Sequence, residues 1–153
     1  MKDYESRFKE LGLFLPELPP AAGAYVPAVR SGNLIFCSGQ GPYKDGKFPY
    51  IGRIGETLSL EDGYQAARIA ALNCLAEICS LIGSINNIVH IVQVRGFVNS
   101  AATFTDQPKV VNGASELLID IFGDAGKHAR CALGTSVLPM NIPVEIEMVA
   151  EVK

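Results

Sequence analysis

The 153-residue sequence predicts an α+β fold in which a mixed sheet carries two helices on one of its faces. Three observations lead to it. Segments of strand-like and helical spacing succeed one another as strand, strand, helix, strand, helix, strand, strand. Each long helical segment has a single apolar stripe that needs a flat apolar partner. The opposite sheet face receives no helix of its own, so a copy of the chain is its simplest cover.

Taken in order, residues 3 to 12 read as a short amphipathic helix with Tyr4, Phe8 and Leu11 on one stripe and Gly12 as its stop. The run L-P-E-L-P-P-A-A-G-A from Leu15 is a proline-rich connector. Residues 1–22 therefore form an appended segment and 23–153 the main domain. Tyr25 to Val29 and Asn33 to Cys37 are short strands joined by a turn at Arg30-Ser31-Gly32, whose glycine tolerates positive φ. The glycines from Gly41 to Gly55 mark a long loop with room for a short strand.

Ser59-Leu60-Glu61-Asp62 fits a capping box that starts a long helix, with Ala67, Ala70, Ala71, Cys74, Leu75, Ile78, Cys79 and Ile82 as its stripe and Gly83 beyond its end. Ile88 to Val98 is β-branched and reads as a central strand, with His90, Val92, Val94 and Gly96 on one side. A second helix follows Pro108, using Val110, Val111, Ala114, Leu117, Leu118 and Ile121 and stopping at Gly123. Strands at Arg130 to Val137 and Val144 to Val152 close the chain.

Composition narrows the function. The hydrophobic fraction of 48% and mean hydropathy of +0.22 suit a chain that buries one face against sister subunits. A net charge of −3 and scattered basic residues lack the footprint of a nucleic-acid binder. Cys37, Cys74, Cys79 and Cys131 have no C-x-x-C spacing, and His90 and His128 are far apart, so no metal site is read. Cys74 and Cys79 fit a helix core. No stretch has the roughly 18 consecutive apolar residues of a membrane span, and M-K-D-Y-E-S lacks a signal-peptide core, which points to a cytoplasmic protein without a membrane partner. No Gly-rich nucleotide motif is present, and no cofactor is expected.

The charges of the last two strands carry the chemistry. By alternation Arg130 shares its face with Ala132, Gly134 and Ser136, a floor of small residues beside a long cation. A guanidinium there suits a small anionic guest, because its fork matches a carboxylate or phosphate in bidentate fashion. Glu145 and Glu147 lie together opposite Val144, Ile146 and Met148, and one of them is placed to handle protons. Arginine and acid, on neighbouring β segments, would then converge on one guest. The same charges also suit an interface ion pair, with the small residues letting a helix pack closely.

The runs G-A-Y-V-P-A-V-R-S-G-N-L-I-F-C-S-G-Q from Gly23, A-R-C-A-L-G-T-S-V-L-P from Ala129 and V-E-I-E-M-V-A from Val144 resemble the RidA family, also called the YjgF family. The resemblance covers most of the chain from Gly23 and implies a chorismate-mutase-like fold assembled as a homotrimer with sites between subunits. It implies hydrolysis of reactive 2-imino and 2-enamino acids to 2-oxo acids and ammonia, without a cofactor. Carried over by position, Arg130 holds the substrate carboxylate and Glu145 the attacking water. Tyr25, Ser38 with the backbone of Gly39, and Asn112 match pocket positions, Tyr25 arriving from another subunit.

The sequence departs from the family in two places. Ala132 stands where a cysteine is often found, and the 104–109 loop and the helix before Pro16 resemble a longer subgroup. Two other functions compete: a noncatalytic binder of 2-oxo acids or other small carboxylates, and the ribonuclease or translation-inhibitor activity attached to parts of the family. Arg130 together with Glu145 favours the hydrolase, since an anion binder has little use for a carboxylate.

Overall fold

A computed structural model describes residues 3–153; the first two residues of the appended segment lie outside the described residues. The elements are α1 (Tyr4–Glu10), β1 (Ala28–Ser31), β2 (Leu34–Gln40), α2 (Leu60–Ile82), β3 (Ile88–Asn99), α3 (Gln107–Phe122), β4 (Ala129–Thr135) and β5 (Val144–Val152). One mixed sheet runs β1-β2-β5-β3-β4. Of the four strand pairs in this sheet among the described residues, β3–β4 alone is parallel, as a crossover through α3 requires.

The expected order of elements stands, and so do most of their signals. Ser59 Oγ accepts from the Asp62 amide at 3.1 Å while the Asp62 carboxylate accepts from the Ser59 amide at 2.8 Å, closing the capping box of α2. Gly83 ends α2 and Gly123 ends α3. The stripes of both helices are buried with Ile35, Ile91, Val94, Val98, Ile146 and Met148 in a single core. By length and composition α2 is apolar enough to cross a membrane, but its stripe lies against this sheet. Tyr4 and Phe8 of α1 enter the same core, Tyr4 meeting Phe122 edge to face at 4.7 Å.

Three local expectations need correction. The first strand begins at Ala28, not Tyr25, because Pro27 has no amide to give a ladder; its carbonyl instead accepts from Ser38 N at 2.8 Å. Ser31 pairs with Leu34, so the turn is Gly32-Asn33, with Gly32 at φ 61°. Simple alternation also fails along β3. Its register against β5 slips twice, leaving Val89 and Val92 as exposed extra residues. Ile88, Ile91, Val94, Gly96 and Val98 are consequently the residues that face the helices, and His90 turns to the other side with Gln93 and Arg95.

Close contacts fix the helix layer. A Cβ on Gly113 of α3 would stand 2.0 Å from the Tyr64 carbonyl oxygen of α2, and one on Gly96 would stand 2.5 Å from Val111. Only hydrogen at these positions lets the helices approach each other and the sheet so nearly. The other face remains open, with Val29, Phe36 and Leu133 about half exposed at 51%, 47% and 50%.

Candidate functional site

Arg130 pairs with Val94, whose side chain is buried beneath the helices, so the arginine leaves the edge strand β4 on the helix side of the sheet. The floor of small residues on that face is only partly open: Gly134 and Ser136 line a hollow of about 320 Å³ together with Arg53, Ser100, Phe104 and Gln107. Ala132 packs against the core, and a Cβ on Gly134 would meet Gln107 at 2.8 Å and Ser100 at 2.9 Å. Room remains at the Arg130 end, in an open hollow of about 370 Å³ lined by Asn112, Ser115, Ile119, Lys127, His128 and Arg130.

Helical spacing puts Asn112 and Ser115 on one face of α3, towards that arginine. Arg130 Nη1 donates to Asn112 Oδ1 at 2.6 Å and to Ser115 Oγ at 3.2 Å. Ser115 in turn meets His128 Nε2 at 2.9 Å, and His128 Nδ1 meets the Gly126 carbonyl at 2.6 Å. Burial, then the charges of Arg130 and His90, hold the imidazole below its ordinary value of 6.5, against the opposing pull of the Gly126 bond. Among the described residues no ion pair engages Arg130.

Glu145 projects from β5 on the opposite face, with Glu147 as expected. Glu147 is occupied by an ion pair with Arg95. Glu145, in contrast, has no cation beside it among the described residues. It is half-buried, and burial, helped by Glu147, raises its pKa above 4.5. A Cβ on Gly39 would lie 2.8 Å from Glu145 Cδ, so the carboxylate occupies the space that glycine leaves beside the irregular end of β2.

Tyr25, Gly39 and Glu145 line one cavity of about 490 Å³, walled in part by Pro19 and Pro20 of the connector and by Met140. Met140 and Asn141 hold left-handed backbone at φ 57° and 56°, which turns the chain around this cavity. Ser38 does not line it; its hydroxyl donates to the Val26 carbonyl at 2.8 Å and ties down the segment bearing Tyr25.

The expected site residues thus form two groups. Arg130 and Asn112 share one hollow, while Tyr25, Gly39 and Glu145 share another. The expectation that arginine and glutamate lie on neighbouring strands and converge fails within one chain. β3 stands between β4 and β5, a separation of two strand spacings or about 10 Å, and the side chains leave opposite faces. Sequence reasoning also missed Ser115, His128 and the cavity-lining Glu77. The first two carried a signal: Ser115 follows Asn112 by one helical turn, and His128 precedes Arg130 by one strand repeat. Among the described residues no three His, Cys, Asp or Glu side chains gather as metal ligands do.

Comparison with known proteins settles the family. The family described as "YjgF/chorismate_mutase-like, putative endoribonuclease" matches residues 5–152. The chain belongs to the YjgF family. Protein TCP17 of Trypanosoma cruzi is 36% identical over 147 residues, covering 95% of this chain and 92% of its own. The crystal structure of Atu1372 from Agrobacterium tumefaciens, described as of unknown function, superposes with a TM-score of 0.89 at 40% identity, covering 98% of this chain and 92% of that one. The crystal structure of Escherichia coli TdcF with bound serine is more distant, with a TM-score of 0.61 and 25% identity over 88% of this chain and 93% of that one. The match to the YjgF family begins inside α1.

Proposed function

We propose that this YjgF-family protein hydrolyses 2-imino and 2-enamino acids at a site shared between two copies of the chain, assembled as a homotrimer. Arg130 and Asn112 of one copy and Glu145, Gly39 and Tyr25 of the next make up the site. The observation that carries the reading is the unbalanced guanidinium. Arg130 faces a hollow with Nη1 held by two neutral oxygens, so its charge and its remaining donors are available to a carboxylate. Glu145 is the complementary half, a half-buried acid with no counter-ion among the described residues, in a cavity of its own. Neither can be completed inside one chain, and the half-exposed Phe36, Val29 and Leu133 offer the apolar surface on which copies would meet.

The chemistry needs little more than positioning. Charge-assisted bonds worth about 1.5–3 kcal/mol each fix the substrate carboxylate on Arg130 and aim the C=N carbon across the interface. Glu145 takes a proton from water as its oxygen bonds to that carbon. Attack on the protonated imine gives a tetrahedral amino-alcohol; Glu145 returns the proton to its nitrogen and then takes the hydroxyl proton as the C=O bond forms and the C–N bond breaks, releasing the 2-oxo acid and ammonia, which picks up that last proton as ammonium. Such general base assistance contributes about 10²- to 10⁴-fold.

A second reading, a noncatalytic carboxylate binder, draws on the serine in TdcF. Glu145 argues for catalysis, since an acid in the pocket repels an anionic guest unless water lies between them. The endoribonuclease wording attached to the family is at odds with a net charge of −3 and scattered basic residues. The deciding assay generates 2-iminopropionate and bulkier 2-imino acids in situ and traps the survivors with semicarbazide. Added protein is expected to lower the trapped fraction; no protection with any side chain leaves the binder.

A further inference from the structure

His128, Ser115 and Arg130 form a chain of hydrogen bonds with one self-consistent set of donors. The Gly126 carbonyl can only accept, so His128 Nδ1 carries the proton of their 2.6 Å bond. A neutral ring then has a bare Nε2, which accepts the Ser115 hydroxyl at 2.9 Å. With its proton committed there, Ser115 Oγ presents lone pairs to Arg130 Nη1 at 3.2 Å, while Asn112 Oδ1 takes the other hydrogen of that nitrogen at 2.6 Å. Both hydrogens of Nη1 are pinned. Among the described residues no acceptor engages Nε or Nη2, which leaves three N–H groups of the fork for a ligand.

We propose that His128 is a positioning residue for Arg130: as a neutral imidazole anchored on the Gly126 carbonyl, it holds Ser115 as an acceptor and so sets the plane in which the guanidinium meets a carboxylate. The inference rests on the reading of Arg130 as the carboxylate holder. A serine in a helix otherwise tends to return its hydroxyl proton to a carbonyl of the preceding turn. His128 removes that option.

The surroundings keep the ring neutral. Burial disfavours a second positive charge most, and Arg130 on β4 and His90 on β3 add to it, against the opposing pull of the Gly126 bond. The adjacent Lys127 is tied to Asp124 at 2.8 Å, and α3 contributes the uncharged Ser115 and Asn112. A protonated ring would aim Nε2–H at Ser115 Oγ, competing with Arg130 for it and setting two cations side by side.

Imidazole nitrogen NMR on the intact protein tests the relay, with steady-state kinetics on 2-imino acids or, in parallel, 2-oxobutanoate binding. The ring is expected as the Nδ1–H tautomer, with a midpoint below 6.5 that rises in Ser115→Ala and in Arg130→Gln. His128→Phe and Ser115→Ala are each expected to raise KM, or Kd for 2-oxobutanoate, roughly three- to tenfold with kcat little changed. The double variant should be no worse than the poorer single one. His128→Gln, whose amide oxygen can take the Ser115 proton, should restore most of the affinity. An Nε2–H tautomer, an unchanged KM in His128→Phe beside normal wild-type turnover, or fully additive effects overturn the relay alone. A wild-type protein that neither turns over 2-imino acids nor binds 2-oxobutanoate overturns the functional reading and the relay with it.

Discussion

Arg130 and Glu145 leave the same sheet in opposite directions, from β4 and β5, which β3 keeps apart. Each faces its own hollow, and among the described residues neither has an ion-pair partner that would silence it, Glu145 being repelled by the neighbouring Glu147. Two half-sites on one molecule are the arrangement expected when a cyclic oligomer joins unlike surfaces at each interface.

Mixing variants tests that arrangement directly. Alone, Arg130→Ala should be inactive and Glu145→Gln should retain only slow hydrolysis. After co-refolding in equal amounts, about a quarter of the sites should receive an intact arginine from one chain and an intact glutamate from the next, and activity should return to about that level. Mixed oligomers that remain silent would place both groups in a site within one chain, or in none.

The two charges should fail in different ways. Arg130→Lys keeps the cation but loses the fork, so most activity should disappear, as KM and kcat for a 2-imino acid would record. Glu145→Gln should still bind 2-oxobutanoate but hydrolyse slowly. Because burial disfavours its charged form, Glu145 takes up its proton above the ordinary 4.5. The working carboxylate is therefore lost as pH falls through that raised value, and the pH–rate profile should have an acid limb starting above 4.5 that is absent from Glu145→Gln.

Gly39→Ala should separate catalysis from stability. The added methyl would stand 2.8 Å from Glu145 Cδ and push the carboxylate aside at a solvent-facing edge. Turnover should fall on the order of 10²-fold with little change in Tm. An alanine variant of wild-type activity would show that the exact seat of Glu145 is unimportant.

Gly113→Ala makes the converse case. Its methyl would lie 2.0 Å from the Tyr64 carbonyl oxygen and force α3 away from α2. Overpacking of this kind costs about 1–3 kcal/mol, visible as a lowered denaturation midpoint. Since Asn112 and Ser115 ride on the same helix, affinity for carboxylates should drop as well.

Phe36→Glu addresses the open face. A charge at Phe36, which pairs with the exposed Val29 across β1 and β2, should disperse the proposed oligomer to a 16.4 kDa species in sedimentation and abolish activity. Activity that survives as a monomer would contradict the shared site.

Much of the architecture was legible because the signals are local. The Ser59 capping box, the glycine stops and the two helix stripes each follow from bonding within a few residues, and all appear as read. The misreadings arose where a partner strand decides. Pro27 shortened β1 by lacking an amide, and the two slips of β3 against β5 turned His90 to the open face; neither slip leaves a mark in the β3 sequence itself.

At the site, residue type and alternation were enough to single out a cation suited to carboxylates and the face shared by Glu145 and Glu147. Alternation gives the side on which a residue lies relative to its own strand, but not which face of the sheet the helices cover or which strand intervenes. The tertiary structure decided those: α3 covers the Arg130 face and supplies Asn112 and Ser115, β3 separates arginine from glutamate, and His128 joins the arginine through a serine 13 residues away. The physical reason is that hydrogen-bonded spacing within a strand or helix is written in neighbouring residues, whereas the pairing order of strands and the packing of a helix across them are set by contacts between segments distant in the chain.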